Sequence, residues 1–438
     1  MASDRALRVM AALANATLGI GLLLLFTWEG IYYRFAPVPS DLRFRGSSSC
    51  SGCHEQEHAA WQESLHRKMM RRASEPDAVV ASFVAENRPP SFEPDDVVWT
   101  IGSKWQQQFM GHDGKTETLL PGAWQIGNAQ WKHQAWDGWS EPAPLQRCHG
   151  CHSVGLDLAT GRFVEAGIGC ESCHGAGEWH IKSRGLAPIH RGLEAQQCGQ
   201  CHSRGRSVDG SAFFPKEFKP GAELSDYFAE WEPDYLQNSS AWWGNGTERD
   251  RHQEYTAWKT GGHADSLNSL LVDYAGQYGA VTDECLSCHS AEGALNPNSE
   301  PISLADARNG ITCSVCHNVH GSLDEIRVPC MQCHGDGAYY HRTERLADHI
   351  PCPPEAQVQC EDCHMPKTVR LAGEFQLHSH RPGIVTAEDT AKFGVPNSCS
   401  NGGCHIDDER PFARMATAPR RQFSRPIESA AARAGGAQ

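Results

Sequence analysis

The sequence is poor in apolar residues and has no excess of positive charge. Apolar and aromatic types make up 39% of its 438 residues, while 42 glycines and 25 prolines favour turns. A conventional apolar core is therefore not expected. Aspartate and glutamate outnumber lysine and arginine by 53 to 39, and the resulting net charge of −14 argues against nucleic acid as a partner.

Cysteine is almost absent outside one repeated pattern. Of 19 cysteines, 18 lie in nine copies of a pattern in which histidine directly follows the second of two cysteines, and Cys352 alone remains. A disulfide framework is therefore not predicted, although oxidising surroundings are. We expect Cys352 to be a free or buried thiol, with a redox or metal-binding role as the alternative.

The nine copies predict covalent attachment of haem c. In Cys-x-x-Cys-His, two thiols bond to the haem vinyl groups and the histidine is the proximal iron ligand. Zinc knuckles also use paired cysteines, but they do not need a histidine after every second one. The ninth copy has four residues between its cysteines, so eight haems are expected if it is empty and nine otherwise. In chain order, motifs 1 to 9 are Cys50/Cys53/His54, Cys148/Cys151/His152, Cys170/Cys173/His174, Cys198/Cys201/His202, Cys285/Cys288/His289, Cys313/Cys316/His317, Cys330/Cys333/His334, Cys360/Cys363/His364 and Cys399/Cys404/His405.

Histidine is plentiful enough to supply the sixth iron ligand of every haem. Nine of 23 histidines belong to the motifs, which leaves 14, whereas only eight methionines are present. Histidine on both sides of the iron implies low reduction potentials. The predicted distal ligands are His66, His180, His263, His320, His349 and one of His378 and His380. Weaker candidates, each of which could be a surface histidine, are His133, His190, His252 and His341.

An internal repeat supports two of these assignments. Residues 56–61 (QEHAAW) and 253–258 (QEYTAW) match, and each is followed five residues later by a histidine, His66 or His263. We predict that both segments are helical, with the tryptophan packed on a porphyrin and the histidine turned in as a ligand. The alternative is a shared helix pattern with surface histidines.

One uncharged run, residues 10–28, is long enough to span a bilayer. Aromatic residues Trp28, Tyr32 and Tyr33 follow it, as at a membrane interface. A cleaved signal peptide is the alternative, but no good small-x-small cleavage site follows the run. Because haem c is attached outside the cytoplasmic membrane, we predict a single-pass protein of that inner membrane with its haem domain on the periplasmic side.

The spacing of the motifs predicts the organisation of the chain. A long gap separates motifs 1–4 from motifs 5–9, and six tryptophans with strand-like runs at 97–101 and 117–120 indicate a β-rich insert. The predicted segments are a cytoplasmic N-terminus (1–9), the anchor (10–28), a linker (29–45), an N-terminal haem lobe (46–205) with the insert at about 90–140, a connecting segment (206–284), a C-terminal haem lobe (285–405) and an arginine-rich tail (406–438).

Four stretches resemble known multihaem cytochromes. Residues 46–54 with Trp61 and His66 resemble the opening of the tetrahaem cytochromes c of ammonia-oxidising bacteria. Residues 167–177 with His180, 360–367 and 396–399 are similar to signatures of the same superfamily. The order of these stretches also resembles the cytochrome part of proteins often fused to tetratricopeptide repeats. The resemblance covers about residues 46–405. It implies a multihaem cytochrome c fold, with mainly short α-helices and irregular loops around stacked haems, a small β-rich insert and an N-terminal transmembrane helix.

The resemblance implies electron transfer or catalysis as the function. We predict a membrane-anchored periplasmic nonahaem cytochrome c that carries electrons between a membrane redox complex and another redox protein. The alternative is an oxidoreductase that acts on nitrite, hydroxylamine or tetrathionate at one open haem. The related nitrite reductases mark their active haem with a lysine in the motif, but all nine motifs here end in histidine. The sequence does not define the oligomeric state.

Overall fold

The structure is a computed structural model that describes residues 17, 31–34, 39, 41–84, 91–112, 117–132, 148–231, 239–274, 281–296, 301–322, 325–335, 358–371 and 374–400. Apart from Thr17, the predicted anchor at 10–28 lies outside these residues. So do the arginine-rich tail, Cys352, His349, and the Cys404 and His405 of motif 9. Within the described residues, no helix is long and apolar enough to cross a membrane. The anchor therefore stays a prediction.

The helices are short, and most of them carry a motif. A single helical turn places both thiols and the following imidazole on one side of the backbone, as attachment to one porphyrin requires. Motif 1 forms a turn after the 3₁₀ segment Ser47–Ser49. The α-helices are α1 (Glu55–Glu63), α2 (Gly150–His152), α3 (Cys170–His174), α4 (Glu178–Lys182), α5 (Gln196–His202), α6 (Glu254–Lys259), α7 (Ser266–Ser269), α8 (Asp283–His289), α9 (Ala291–Ala294), α10 (Cys313–Cys316), α11 (Cys330–His334), α12 (Cys360–His364) and α13 (Ala387–Phe393).

The predicted β-rich insert is a six-stranded antiparallel sheet. Its strands run in the order β1-β2-β3-β5-β6, and β4 pairs with β3. The sheet begins earlier than predicted, because Met70–Arg72 adds a strand that pairs with Trp99–Ile101. The strands are β1 (Met70–Arg72), β2 (Trp99–Ile101), β3 (Gln106–His112), β4 (Glu117–Leu119), β5 (Ala123–Gln125) and β6 (Gln130–Lys132).

Three two-stranded antiparallel sheets lie among the motifs. They pair β7 (Ser153–Val154) with β8 (Glu165–Ala166), β9 (Gly205–Ser207) with β10 (Phe228–Glu230), and β11 (Lys367–Leu371) with β12 (Glu374–His378). The buried apolar side chains of the described residues form six separate clusters of three or four residues each. The apolar material is thus dispersed, as expected for a protein in which bound cofactors supply much of the buried surface.

Candidate haem sites

Five motif histidines each face a histidine from outside the motifs. The imidazole centres of each pair lie 6.1–6.5 Å apart. The pairs are His54 with His180 at 6.3 Å, His202 with His66 at 6.5 Å, His174 with His320 at 6.1 Å, His334 with His263 at 6.1 Å, and His317 with His380 at 6.1 Å.

This separation fits two imidazoles on opposite sides of one metal ion. Metal–nitrogen bonds to imidazole are about 2 Å long, so ring centres that share a metal lie roughly 6 Å apart. The residues of motifs 1, 3, 4, 6 and 7 therefore fit a haem iron with two histidine ligands. All five partner histidines are among the predicted distal ligands, and the ligand assignments themselves stay predictions.

Burial keeps several of these imidazoles in the neutral form that a metal requires. It lowers the pKa of His66 to about 4 and that of His380 to about 4. Burial also lowers the pKa of His263 and His320. Because a neutral imidazole offers its lone pair to a metal without first losing a proton, these side chains are prepared for ligation.

His202 differs, because a carboxylate lies beside it. Burial disfavours the imidazolium, but Glu254 lies 3.5 Å from Nδ1 and raises the pKa of His202 to about 9. A carboxylate at the outer nitrogen of a metal-bound histidine makes that ligand more basic. The sequence analysis missed Glu254. The signal was present, because the repeat aligns Glu254 with Glu57.

The two copies of the repeat dock in the same way. Trp61 Nε1 donates to the carbonyl of Ile168 at 2.9 Å, and Trp258 Nε1 donates to the carbonyl of Ile311 at 2.8 Å. Each isoleucine lies two residues before a motif cysteine, and its amide donates to the carbonyl of a repeat histidine. These bonds join Ile168 to His66 at 3.0 Å and Ile311 to His263 at 2.9 Å.

Glycine makes this docking possible in both copies. A Cβ added at Gly167 would lie 2.7 Å from the Arg67 carbonyl oxygen, and one added at Gly310 would lie 2.6 Å from the Ala264 carbonyl oxygen. A side chain at either position would push the histidine segment away from the motif. The repeat is therefore a structural module in which one helix docks on one motif and directs a histidine to another.

Thiols from different motifs lie side by side. Cys50 of motif 1 lies against Cys170 of motif 3, and this contact raises the pKa of Cys50 while lowering that of Cys170 to about 7. Four further contacts of this kind join Cys151 to Cys201, Cys198 to Cys313, Cys288 to Cys333 and Cys330 to Cys360. Weaker electrostatic interactions join Cys173 to Cys198 and Cys316 to Cys330.

These contacts define an order of neighbouring motifs. Motifs 1, 3, 4, 6, 7 and 8 follow one another, while motif 2 joins at motif 4 and motif 5 joins at motif 7. Ligand pairs also cross the predicted lobe boundary, since His174 in the first lobe faces His320 in the second. The two predicted lobes are therefore joined through their metal sites.

Motif 9 is described only in part, and what is described lies against motif 8. The hydroxyl of Ser398, directly before the first cysteine of motif 9, donates to the carbonyl of Cys363 at 2.7 Å. Cys404 and His405 lie outside the described residues, so the structure shows no complete ninth site. The haem-attachment roles predicted for Cys363 and Cys404, and the iron-ligand role predicted for His405, therefore stay predictions.

Three carboxylates hold the segment before motif 1 against motif 3. The buried Glu171 accepts hydrogen bonds from the amides of Arg45, Gly46 and Gly177, each at 2.7 Å. Glu165 accepts from the amide and hydroxyl of Ser47. Glu178 accepts from the amide of Arg43 at 3.1 Å. The position of motif 1 is thus fixed by charge-assisted bonds from residues around motif 3.

The remaining predicted ligands differ in their surroundings. Among the described residues, no second imidazole faces His152 or His289 at the distance found in the five pairs. His289 Nδ1 lies 3.0 Å from the carbonyl of Ser266, whereas His152 Nδ1 is buried without a hydrogen-bond partner. His378 contacts the carbonyl of Met365, so of the alternatives His378 and His380, the structure directs His380 to a motif histidine.

Two of the weaker candidates have other contacts. His190 Nε2 pairs with Glu194 at 2.9 Å, and its carbonyl lies 2.7 Å from His174 Nδ1. His252 has a backbone φ of 59° in the left-handed region, and its Nδ1 lies 3.3 Å from the carbonyl of Cys201. His133 and His341 lie outside the described residues.

Comparison with known proteins agrees with these sites. Residues 103–175 match the family model of cytochrome c554 and c-prime, and residues 273–335 match that of cytochrome c7 and related cytochrome c. The C-type polyheme cytochrome OmcB of Geobacter sulfurreducens is 25% identical over 205 residues, which cover 40% of this chain and 25% of that protein. The chain thus spans about a quarter of the length of the curated relative it matches.

A solved structure matches far more of the chain. The outer cell wall cytochrome OcwA superposes on 85% of this chain and 86% of its own, with a TM-score of 0.72 and 28% identity. The chain is a member of the multihaem cytochrome c superfamily. An undecaheme cytochrome from the S-layer of Carboxydothermus ferrireducens is similar over 86% of this chain and 60% of its own, with a TM-score of 0.49 and 19% identity.

Membership in the multihaem cytochrome c superfamily confirms three predictions at a coarse level. The fold consists of short helices and small sheets, the cofactor is haem c, and the chemistry is that of a redox protein. The paired imidazoles agree with this cofactor on independent, geometric grounds.

Proposed function

We propose that the protein is a nonahaem electron-transfer cytochrome. When bound, haem c supplies one-electron redox chemistry. The chain contributes the axial ligands, the order of the sites and the charges around them. The observation that carries this proposal is the set of five imidazole pairs at 6.1–6.5 Å, because two histidine ligands leave no coordination position for a substrate.

The neighbouring thiols support a continuous route. The order 1–3–4–6–7–8 begins at motif 1, where Cys53 is exposed, and ends at motif 8, where Cys360 is exposed. Motifs in contact bring their attached groups close enough for successive electron transfers. Electrons would enter at one exposed end and leave at the other, with side branches at motifs 2 and 5.

The proposed setting is the outer face of the cytoplasmic membrane. Residues 10–28 would anchor the chain there, a membrane redox complex would be one partner, and a second redox protein would be the other. The negative net charge of −14 suits a partner with a basic docking surface.

The first test is low-temperature EPR of the oxidised, detergent-solubilised protein, with haem and iron counted per chain. The proposal predicts nine haems, with all iron low-spin. A count below eight would contradict the nonahaem assignment. A high-spin signal from about one haem in nine would contradict the pure electron-transfer function.

One observation keeps a catalytic function as a second candidate. His152 of motif 2 is buried, no described imidazole faces it, and the buried Arg251 lies close enough to interact with it. A haem there with an open position could bind a small nitrogen or sulfur compound. Addition of nitrite, hydroxylamine or tetrathionate to the oxidised protein would then change a high-spin EPR signal, and an unchanged spectrum would exclude this candidate.

A further inference from the structure

The surface around the partner ligand of motif 1 combines exposed apolar and basic side chains. His180, which faces His54, lies in α4, and Ile181 and Leu186 beside it are 37% and 49% exposed. Such a concentration of exposed large apolar side chains requires an explanation in a chain so poor in apolar residues. Four further exposed apolar residues belong to this surface or adjoin it: Ile31, Tyr32, Phe44 and Val164.

Direct contacts connect these residues into one surface. The ring of Trp179 lies 4.9 Å from that of Tyr33 and 6.2 Å from that of Tyr32. Glu178 in the same helix accepts the amide of Arg43, which brings the segment containing Phe44 to α4. Phe44 and Val164 both pack at Gly155. We call this surface, made by residues 31–34, 41–45, 164 and 178–186, the α4 face.

The charge of the α4 face is opposite to that of the whole chain. Its exposed basic residues are Arg34, Arg43, Arg45, Lys182 and Arg184. Its acidic residues are Asp41 and Glu178, and Glu178 is already paired with Lys182 at 3.0 Å. A local excess of positive charge in a protein with a net charge of −14 indicates an anionic partner.

We propose that the α4 face lies on the membrane surface and contacts anionic lipid headgroups. Exposed apolar side chains beside basic ones are the combination that inserts into a headgroup region. The position of the chain supports lipid over a soluble acidic protein, because the uncharged run ends at residue 28, only a few residues before Ile31 and Tyr32. Of these two, Tyr32 packs on Trp179, directly before His180.

The orientation gives the route of motifs a direction. Motif 1 becomes the membrane-side end, where a reduced membrane carrier or complex would deliver electrons, and motif 8 becomes the distal end. This step rests on the proposed electron-transfer function, whereas the lipid contact itself does not.

Hydrogen exchange of the full chain in lipid nanodiscs would test the contact. One preparation contains phosphatidylcholine alone, and the other contains equal parts of phosphatidylcholine and phosphatidylglycerol. We expect amides of 41–46 and 178–186 to exchange more slowly in the anionic nanodiscs, while those of 301–310 exchange alike in both. Each basic residue near an anionic surface changes partitioning about fivefold, so the double variant Arg45→Glu/Arg184→Glu should abolish the difference.

Two controls separate surface charge from damage to the fold. Arg308→Glu changes an equally exposed basic residue elsewhere and should retain the difference. If the double charge reversal fails to bind its haems, Arg45→Gln/Arg184→Gln is the replacement, and it should weaken the difference. Equal exchange in both nanodiscs, or the same loss in Arg308→Glu, would overturn the proposal. Failure of the electron-transfer function would instead appear as separate haem pools in reduction kinetics, with the lipid-dependent exchange intact.

Discussion

Replacement of Glu254 should raise the reduction potential of the haem at motif 4. Glu254 lies 3.5 Å from Nδ1 of His202 and its side chain is 20% exposed. Half of the 6.5 Å separation between the His202 and His66 rings places the iron position about 8 Å from the carboxylate. At an effective dielectric constant of about 20, one charge at that distance stabilises the extra positive charge of ferric iron by about 2 kcal/mol, or about 90 mV.

The variant Glu254→Gln keeps the shape of the side chain and removes its charge. Redox titration followed by EPR and absorbance should show one haem moving upward by about 90 mV. The matched control is Glu63→Gln, which removes a carboxylate 82% exposed and paired with Lys68, and it should shift no haem by more than about 20 mV. Equal shifts in the two variants, or no shift in Glu254→Gln, would refute the electrostatic role given to Glu254.

The other predictions concern ligation, stability and acid sensitivity. His66→Ala should leave all haems attached but convert one iron to high spin by EPR, whereas His58→Ala should not; an all-low-spin His66→Ala protein would contradict the pairing with His202. Glu171→Gln removes a charge that accepts three backbone amides and should lower the free energy of unfolding by about 1–3 kcal/mol in denaturant titrations, with full stability the opposing result. His149 and Trp99 lower the pKa of Glu117 below its usual 4.5, so its stabilising contribution is present above that pH and is lost as pH falls through the lower folded value. Glu117→Gln should therefore flatten the acid branch of the stability curve, and an unchanged branch would exclude this contribution. Chain produced without haem attachment should lack stable helices by circular dichroism, and a cooperative melt of that chain would contradict the haem-dependent core.

The comparison of sequence with structure shows which patterns carry local information. Each regular motif is a contiguous run, so the chemistry of Cys170–His174, for example, follows from five adjacent residues. The repeat around Trp61 and Trp258 also predicted two histidines that the structure turns toward motif histidines. The first strand of the insert, Met70–Arg72, was not predicted, because three residues that include two arginines gain strand geometry only by pairing with Trp99–Ile101.

Pairing between distant residues could not be predicted from the sequence. His174 faces His320 and His317 faces His380, although each pair is separated by dozens of residues. The selection of His380 over His378 depends on the register of the turn after β12. His378 contacts the carbonyl of Met365, while the amide of His380 binds Glu248.

The sequence by itself determined the cofactor and its attachment sites, because thioether formation and proximal ligation need only residues within one turn of chain. The tertiary structure decided the pairing of ligands, the order of neighbouring motifs and the placement of basic residues around His180. These depend on backbone hydrogen bonds such as those from Ile168 and Ile311, which bring remote segments together. Local composition carries no record of such contacts, since they arise only when the whole chain has folded.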